Sequence, residues 1–226
     1  MNNSHYCLFS NRLFDFSHTI ATSLLQSSTY PWEVLDTLGD FICTLGAALD
    51  PEIYECRGQH VYVAKSAIVA QSAHLTGPCI VCESAEIRHC AFIRGNVIVG
   101  AEAVVGNSTE LKNCILFDRV QVPHYNYVGD SILGYKAHLG AGAVISNLKS
   151  DKSPVVIKGD GFALSTGRKK VGAMVGDGVE IGCGAVLCPG TVIGKCTTVY
   201  PLVRVRGVIP EGHIVKGPDV TVAKSC

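Results

Sequence analysis

From Val63 onward an aliphatic or aromatic side chain recurs every six residues: Val63, Val69, Leu75, Val81, Ile87, Ile93, Val99, Val105, Leu111 and Phe117. Four places after each stands a mostly small residue, as at Ala67, Ala73, Cys79, Ala85, Ala91, Val97, Ala103, Thr109, Ile115 and Gln121. A short fixed period of this kind specifies an all-β solenoid, whose coils stack into one continuous core, rather than a layered domain. The 24 glycines and the low aromatic content of 7% suit thin coils with tight corners. With three six-residue sides to a triangular coil, the hexads that run to Val205 make six to seven coils.

The period breaks in two places. Pro123, His124, Tyr125 and Asn126 read as a four-residue intrusion, after which the step resumes at Tyr127, Leu133, Leu139 and Ile145. A residue in such a bulge leaves the packing register and can face a groove. A longer excursion, residues 151–174, sets Val155-Val156-Ile157 and Phe162-Ala163-Leu164 on either side of a Lys-Gly-Asp-Gly turn, which predicts a projecting hairpin. It carries the basic run Arg168-Lys169-Lys170, and the period returns at Val175, Ile181, Leu187, Ile193, Val199 and Val205 before an irregular tail from Ile209.

Residues 1–55 lack the repeat. Trp32, Val34, Leu35, Leu38, Phe41, Ile42 and Leu45 fall at helical spacing, with Pro31 at the first turn and Gly46 near the end. Ser17 is placed to cap a shorter helix containing Ile20, Leu24 and Leu25. An uncovered terminal coil exposes apolar surface and strand edges, so these helices are expected to cap one end of the solenoid. The division that follows is a small helical cap (1–55), a solenoid (56–210) with the inserted loop 151–174, and a C-terminal tail (211–226).

The 19 basic residues balance the 19 acidic ones, which argues against a strongly polybasic nucleic-acid or anionic-membrane surface. No stretch reaches the ~18 apolar residues of a membrane span, and the first residues lack the basic tip and apolar run of a secretory signal. The chain reads as cytoplasmic, and its eleven cysteines, from Cys7 to Cys226, as mostly reduced, buried thiols. Cys79 and Cys82 form a C-x-x-C pair, but Cys79 fills a small-residue slot of the repeat and no second pair exists, so packing is preferred over zinc or redox chemistry.

The chemistry gathers at the first break, where His124, Asn126, Tyr127 and Asp130 make a polar cluster. Histidine accepts a proton near neutral pH, which makes His124 the candidate general base. His74, His89 and His213 read as surface or corner residues. By themselves Arg94 and Lys112 are ordinary solvated cations, and Tyr127, which starts a hexad, is equally a core residue.

The run Pro123-His-Tyr-Asn-Tyr-Val-Gly-Asp130, with Leu139-Gly-Ala-Gly-Ala143 and Asn147, resembles the acetyltransferase half of the bifunctional enzymes that make UDP-N-acetylglucosamine. Ser165-Thr-Gly-Arg-Lys-Lys-Val-Gly-Ala173 is similar to the archaeal-type version. The resemblance extends from about Tyr30 to Pro210. It implies a left-handed parallel β-helix of hexapeptide repeats assembled as a homotrimer, with sites in grooves between subunits and acetyl-CoA as acyl donor rather than a tightly bound cofactor. It gives His124 the role of base toward the sugar 2-amino group. Arg94 and Lys112 are implied to bind the sugar phosphate, Tyr127 and His138 to contact the sugar, and Asn147 to orient substrate or acetyl group. Ala141 and Cys183 are implied to meet the acetyl carrier. Arg168, Lys169 and Lys170 either grip its phosphates or solubilise the hairpin. No metal is implied.

The sequence departs from that pattern at His138, where related chains with a shorter loop carry Asn, at Cys183, where they often carry Ser, and at Lys152, one place from a family lysine. The first 60 residues hold neither the Gly-rich loop nor the length of a nucleotidyltransferase half, so no pyrophosphorylase activity is expected of this chain. One alternative is a non-catalytic or regulatory partner of a separate nucleotidyltransferase. Another is a zinc hydratase on the same fold, which would need His89, His124 and His138 to converge at a subunit interface.

Overall fold

A computed structural model describes residues 3–217 and 220–224. The solenoid is confirmed, and the fold is the left-handed parallel β-helix of hexapeptide repeats. Sheet registers define three faces. The first stacks Val61–Ala64, Cys79–Val81, Val97–Val99, the second halves of Glu110–Leu116 and Tyr127–Leu133, then Ala173–Val175, Thr191–Ile193 and Val208–Ile209. The second stacks Ile68–Val69, Glu86–Ile87, Val104–Asn107, Gln121–His124, His138–Leu139, Glu180–Ile181, Thr198–Val199 and His213–Gly217. The third carries His74–Leu75, Phe92–Ile93, the first halves of the two long strands, Val144–Ile145, Val186–Leu187 and Arg204–Val205.

Three expectations change. The stack is longer than six to seven coils, because Val208–Ile209 and His213–Gly217 continue two faces, and His213–Gly217 then pairs antiparallel with Val220–Ala223. The expected tail 211–226 is thus partly strand, while 218–219 and 225–226, with Cys226, lie outside the described residues. The second change concerns the first break, which is a shortening and not an intrusion. Val63, Val81 and Val99 step by 18 residues, but Val99 pairs with Leu116 and Leu116 with Leu133, a step of 17. One residue is missing from the side Leu111–Leu116 and one from Val128–Leu133. Leu116 and Val128, not Phe117 and Tyr127, therefore hold the interior slots, and His124 stays in register opposite Asn107. The shortened corners turn on Asn113 and Asp130, both left-handed at φ 49° and 48°, a conformation that Asn and Asp tolerate better than most residues.

The third change concerns the helices, which lie along the first face instead of over an end. Helix Leu38–Ala47 packs on Cys79–Val81 and Val97–Val99, and the 3-10 turn Pro31–Asp36 on Tyr127–Leu133. Phe14 packs its ring 5.2 Å from Phe117, and the Leu13 carbonyl accepts from the Asp177 N–H at 3.2 Å. The cause is visible in the strands themselves. The outward residues of its six central strands, Ile80, Ile98, Ile115, Ile132, Met174 and Val192, are apolar and no more than 1% exposed. Each such side chain contributes about 1.5–3 kcal/mol when covered, which draws the amphipathic segment down on this side. Ser17 does not cap as expected. It sits in the 3-10 turn Phe16–His18, whose cap is Asp15, and the next helix begins at Thr22.

The insertion forms the expected hairpin, Val156–Gly159 paired with Phe162–Ser165. It is seated rather than projecting. Val155 and Ile157 are fully buried, and a Cβ on Gly190 or Gly207 would come within 2.7 Å of Val155 or of the Lys158 carbonyl. No helix among the described residues is long and apolar enough to cross a membrane.

Candidate functional site

With the first face covered, the second and third faces and the corner between them stay open. That corner carries His124. Its backbone is fixed from both sides: its N–H donates to Asn126 Oδ1 at 3.1 Å, and its carbonyl accepts from Gly142 N–H at 2.9 Å. Asn126 is 2% exposed and its amide donates to the carbonyls of Gly140 and Ala143, so it serves as a corner brace and not as a substrate ligand. The His124 residue is exposed, and among the described residues no hydrogen bond holds its ring. Below it the same corner position is taken by Ala141 and then Cys183, whose carbonyls accept from Gly184 and Leu202. The proposed base and the two residues assigned to the acetyl carrier thus form one column on successive coils.

The third face supplies the other half. Arg94 and Lys112 follow the paired residues Ile93 and Leu111 and occupy one column on adjacent coils. Arg94 Nη1 donates to Glu110 Oε1 at 2.6 Å, which raises the guanidinium pKa further, and the guanidinium lies over Phe92. Tyr127 points outward, half-buried, and its hydroxyl accepts from the Asn147 amide at 3.3 Å. Burial, then the charges of Glu110 and Asp130, push the Tyr127 pKa up, so it is a neutral hydroxyl at physiological pH. Asn147 also donates to Asp130 Oδ2, and Asp130 Oδ1 accepts from Asn113 Nδ2 at 2.8 Å. This relay across three coils holds the Asn147 amide in one orientation.

Gly129 makes the arrangement possible. A Cβ there would stand 2.6 Å from the Tyr127 hydroxyl oxygen and 2.7 Å from Asn147 Nδ2. Glu110, Asn113 and Gly129 were not among the residues singled out from the sequence. Asn113 and Asp130 were detectable in principle, since they stand 17 apart at the two shortened corners. Glu110 carried no comparable signal.

Other candidates fall elsewhere. His138 is on the second face, where Nδ1 pairs with Glu180 at 2.8 Å in an open groove of about 520 Å³ that also takes in Glu102, Arg119 and Lys136. No hydrogen bond among the described residues joins His138 to His124 or Tyr127. Arg168 is directed into the helical layer, where it pairs with Asp36 and its side chain is only 15% exposed. Lys169 and Lys170 are exposed. Cys79 and Cys82 are buried at 0% and 1%, and burial pushes the Cys79 thiol up to about 12 and the Cys82 thiol up as well, so both are packing residues. Among the described residues no three His, Cys, Asp or Glu side chains converge as a metal site.

The family model described as the GMPPB C-terminal domain matches residues 75–166. A bifunctional protein GlmU from Methanococcus maripaludis (strain C5) is 33% identical over 135 residues, 59% of this chain and 33% of that protein. A second, from strain S2, is 27% identical over 198 residues, 86% of this chain and 48% of that protein. The chain therefore spans between a third and a half of the length of these relatives. Among solved structures, the acetyltransferase domain of PglB from Neisseria gonorrhoeae FA1090, in complex with acetyl coenzyme A, aligns at 22% identity and a TM-score of 0.32, over 68% of this chain and 53% of that one. The fold defines a hexapeptide-repeat protein. Within that class the chain resembles the acetyltransferase half of GlmU-type proteins.

Proposed function

We propose that the protein is an acetyl-CoA-dependent N-acetyltransferase acting on an amino-sugar 1-phosphate, glucosamine-1-phosphate in UDP-N-acetylglucosamine synthesis, and that it works as a homotrimer. The observation that carries the reading is the column His124, Ala141, Cys183 beside a face bearing Arg94, Lys112, Tyr127 and Asn147.

In this reading the sugar phosphate lies against Arg94 and Lys112, whose charges suit a dianion. The exposed Glu110–Arg94 pair is solvent-screened and gives way to the phosphate at little cost. The sugar rests on Tyr127 and Asn147. His124 takes a proton from the 2-ammonium, leaving a lone pair that attacks the thioester carbonyl carbon. The C–N bond forms, the carbonyl oxygen gathers negative charge, the nitrogen gives its surplus proton to solvent, and collapse breaks the C–S bond to release coenzyme A, whose sulfur takes the proton held by His124. Backbone N–H groups near Ala141 are suited to the developing oxyanion. In a trimer the covered first face is unavailable for contact between subunits, so they would meet through the second and third faces, with His124 at the junction.

The test is thiol release from acetyl-CoA with glucosamine-1-phosphate, galactosamine-1-phosphate and the corresponding 6-phosphates. The reading predicts turnover on a 1-phosphate. Absence of turnover on every sugar, in a folded trimer, would overturn it in favour of the regulatory partner.

A further inference from the structure

A second cavity lies four coil steps along the same corner as Arg94 and Lys112. The register runs from Lys112 through Gly129 to the level of Ser146, then Cys188, then Arg206. At about 4.8 Å per step this places Arg206 roughly 19 Å from Lys112. The cavity has a volume of about 240 Å³ and gathers cations from three separate segments: Lys149 from the loop after the third face, Lys158 from the inserted hairpin, and Arg206 from the last full coil. Val156 and Pro189 supply an apolar wall.

The hairpin forms a fixed wall. Val155 and Ile157 anchor it in the core, and Gly190 and Gly207 admit its backbone where a side chain would collide. At the base of the insertion, the Val155 N–H donates to the Arg168 carbonyl at 2.7 Å, and Arg168 is itself tied to Asp36. Lys149 is shared with the Ser153 hydroxyl and stands 3.5 Å from Asp151. Among the described residues Lys158 and Arg206 have no ion-pair partner, and no carboxylate lines the cavity. In a chain whose formal charges sum to zero, two unpaired cations and a third beside an apolar wall form a site for an anion attached to a flat or apolar body.

We infer that this cavity binds the phosphates of a nucleotide. The chemistry is shared by the adenosine bisphosphate end of coenzyme A and by the diphosphate of a nucleotide sugar. The inference deepens the acetyltransferase reading by giving its donor or its downstream product a phosphate subsite, yet it can be tested apart from it. The apolar wall distinguishes a nucleotide from free inorganic phosphate.

The experiment is calorimetric titration of the full chain with adenosine 3′,5′-bisphosphate, UDP and inorganic pyrophosphate, in the wild type, in Lys158→Ala/Arg206→Ala, in the charge reversal Lys158→Glu, and in Lys65→Ala, an exposed lysine of the first coil, as a control. Removing two charge-assisted contacts should weaken nucleotide binding roughly 10- to 100-fold, with the melting temperature and the control variant unchanged. Selective loss of the adenosine bisphosphate identifies the acyl carrier as the source, and selective loss of UDP a nucleotide sugar. Nucleotide binding equal in all variants overturns the inference, as does pyrophosphate binding as tightly as both nucleotides. If nucleotide binding depends on these cations but no amino sugar is acetylated, the cavity stands and the acetyltransferase reading falls. If acetyl transfer persists in the double variant with an unchanged KM for acetyl-CoA, and binding is unaffected, the cavity falls and the enzyme stands.

Discussion

The first and third faces of this solenoid are built from the same hexad interior and differ only in what points outward. On the first, Ile80, Ile98, Ile115, Ile132, Met174 and Val192 meet a helical layer and are buried on both sides. On the third, His74, Phe92, Glu110, Tyr127, Val144, Val186 and Arg204 occupy the equivalent position and meet solvent to varying degrees. One outward residue per side therefore decides whether a face is structural or available for chemistry. By closing the first face, the N-terminal segment leaves the opposite corner, where His124 stands, as open surface.

The contrast can be broken most severely by placing a charge on each face. Ile98→Asp buries an unpaired carboxylate under helix Leu38–Ala47 and should cost on the order of 4 kcal/mol or more. Val186→Asp, at a position 38% exposed, should stay within about 1 kcal/mol. Thermal melting of the two variants checks this, and equal losses would mean that the faces are not so different.

A smaller effect is expected at Lys112. In the proposed reading Lys112→Ala removes one charge-assisted contact to the sugar phosphate, and it should raise the KM for sugar roughly 10- to 100-fold with little change in kcat. Steady-state kinetics with varied sugar and saturating acetyl-CoA would expose a change confined to kcat, which would assign Lys112 elsewhere.

Gly129→Ala probes the packing behind the site. The new methyl collides with the Tyr127 hydroxyl and the Asn147 amide, and the expected cost is about 1–3 kcal/mol of stability, with kcat/KM falling about tenfold. Normal kinetics with normal stability would remove the Tyr127–Asn147 contact from the account.

The smallest effect is expected from Glu110→Gln. It releases Arg94 from its exposed pair, and sugar-phosphate affinity should rise about two- to fivefold, more at low salt than at high. Affinity that falls instead would make Glu110 a positioning residue for Arg94.

The solenoid was legible because its interior residues recur at one spacing; His124 stands out only by its place at the break in that period, and Arg94 and Lys112 only through the family resemblance. The one-residue shortening reads in the sequence as an intrusion. Phe117 and Tyr127 are themselves large and apolar enough to imitate interior residues, which hid the true slots at Leu116 and Val128. The helical layer reads in the sequence as an end cap for a related reason. The triplets Cys79-Ile80-Val81, Val97-Ile98-Val99 and Cys114-Ile115-Leu116 read as ordinary hexad ends, although an apolar outward residue on every third side already marks a covered face. Glu110 could not be found from sequence, because its pairing with Arg94 is a contact between coils with no local signature. The pairing of Arg168 with Asp36 was hidden for the same reason, being set by where the helices lie.

The central claim is that the open corner is catalytic and that His124 is its base. It is tested most directly by acetyl-CoA turnover with glucosamine-1-phosphate in His124→Ala. The account predicts that kcat falls about 10²- to 10⁴-fold while the KM for both substrates and the melting temperature stay near wild type, because the ring holds no hydrogen bond among the described residues. A His124→Ala variant that turns over at the wild-type rate would contradict it.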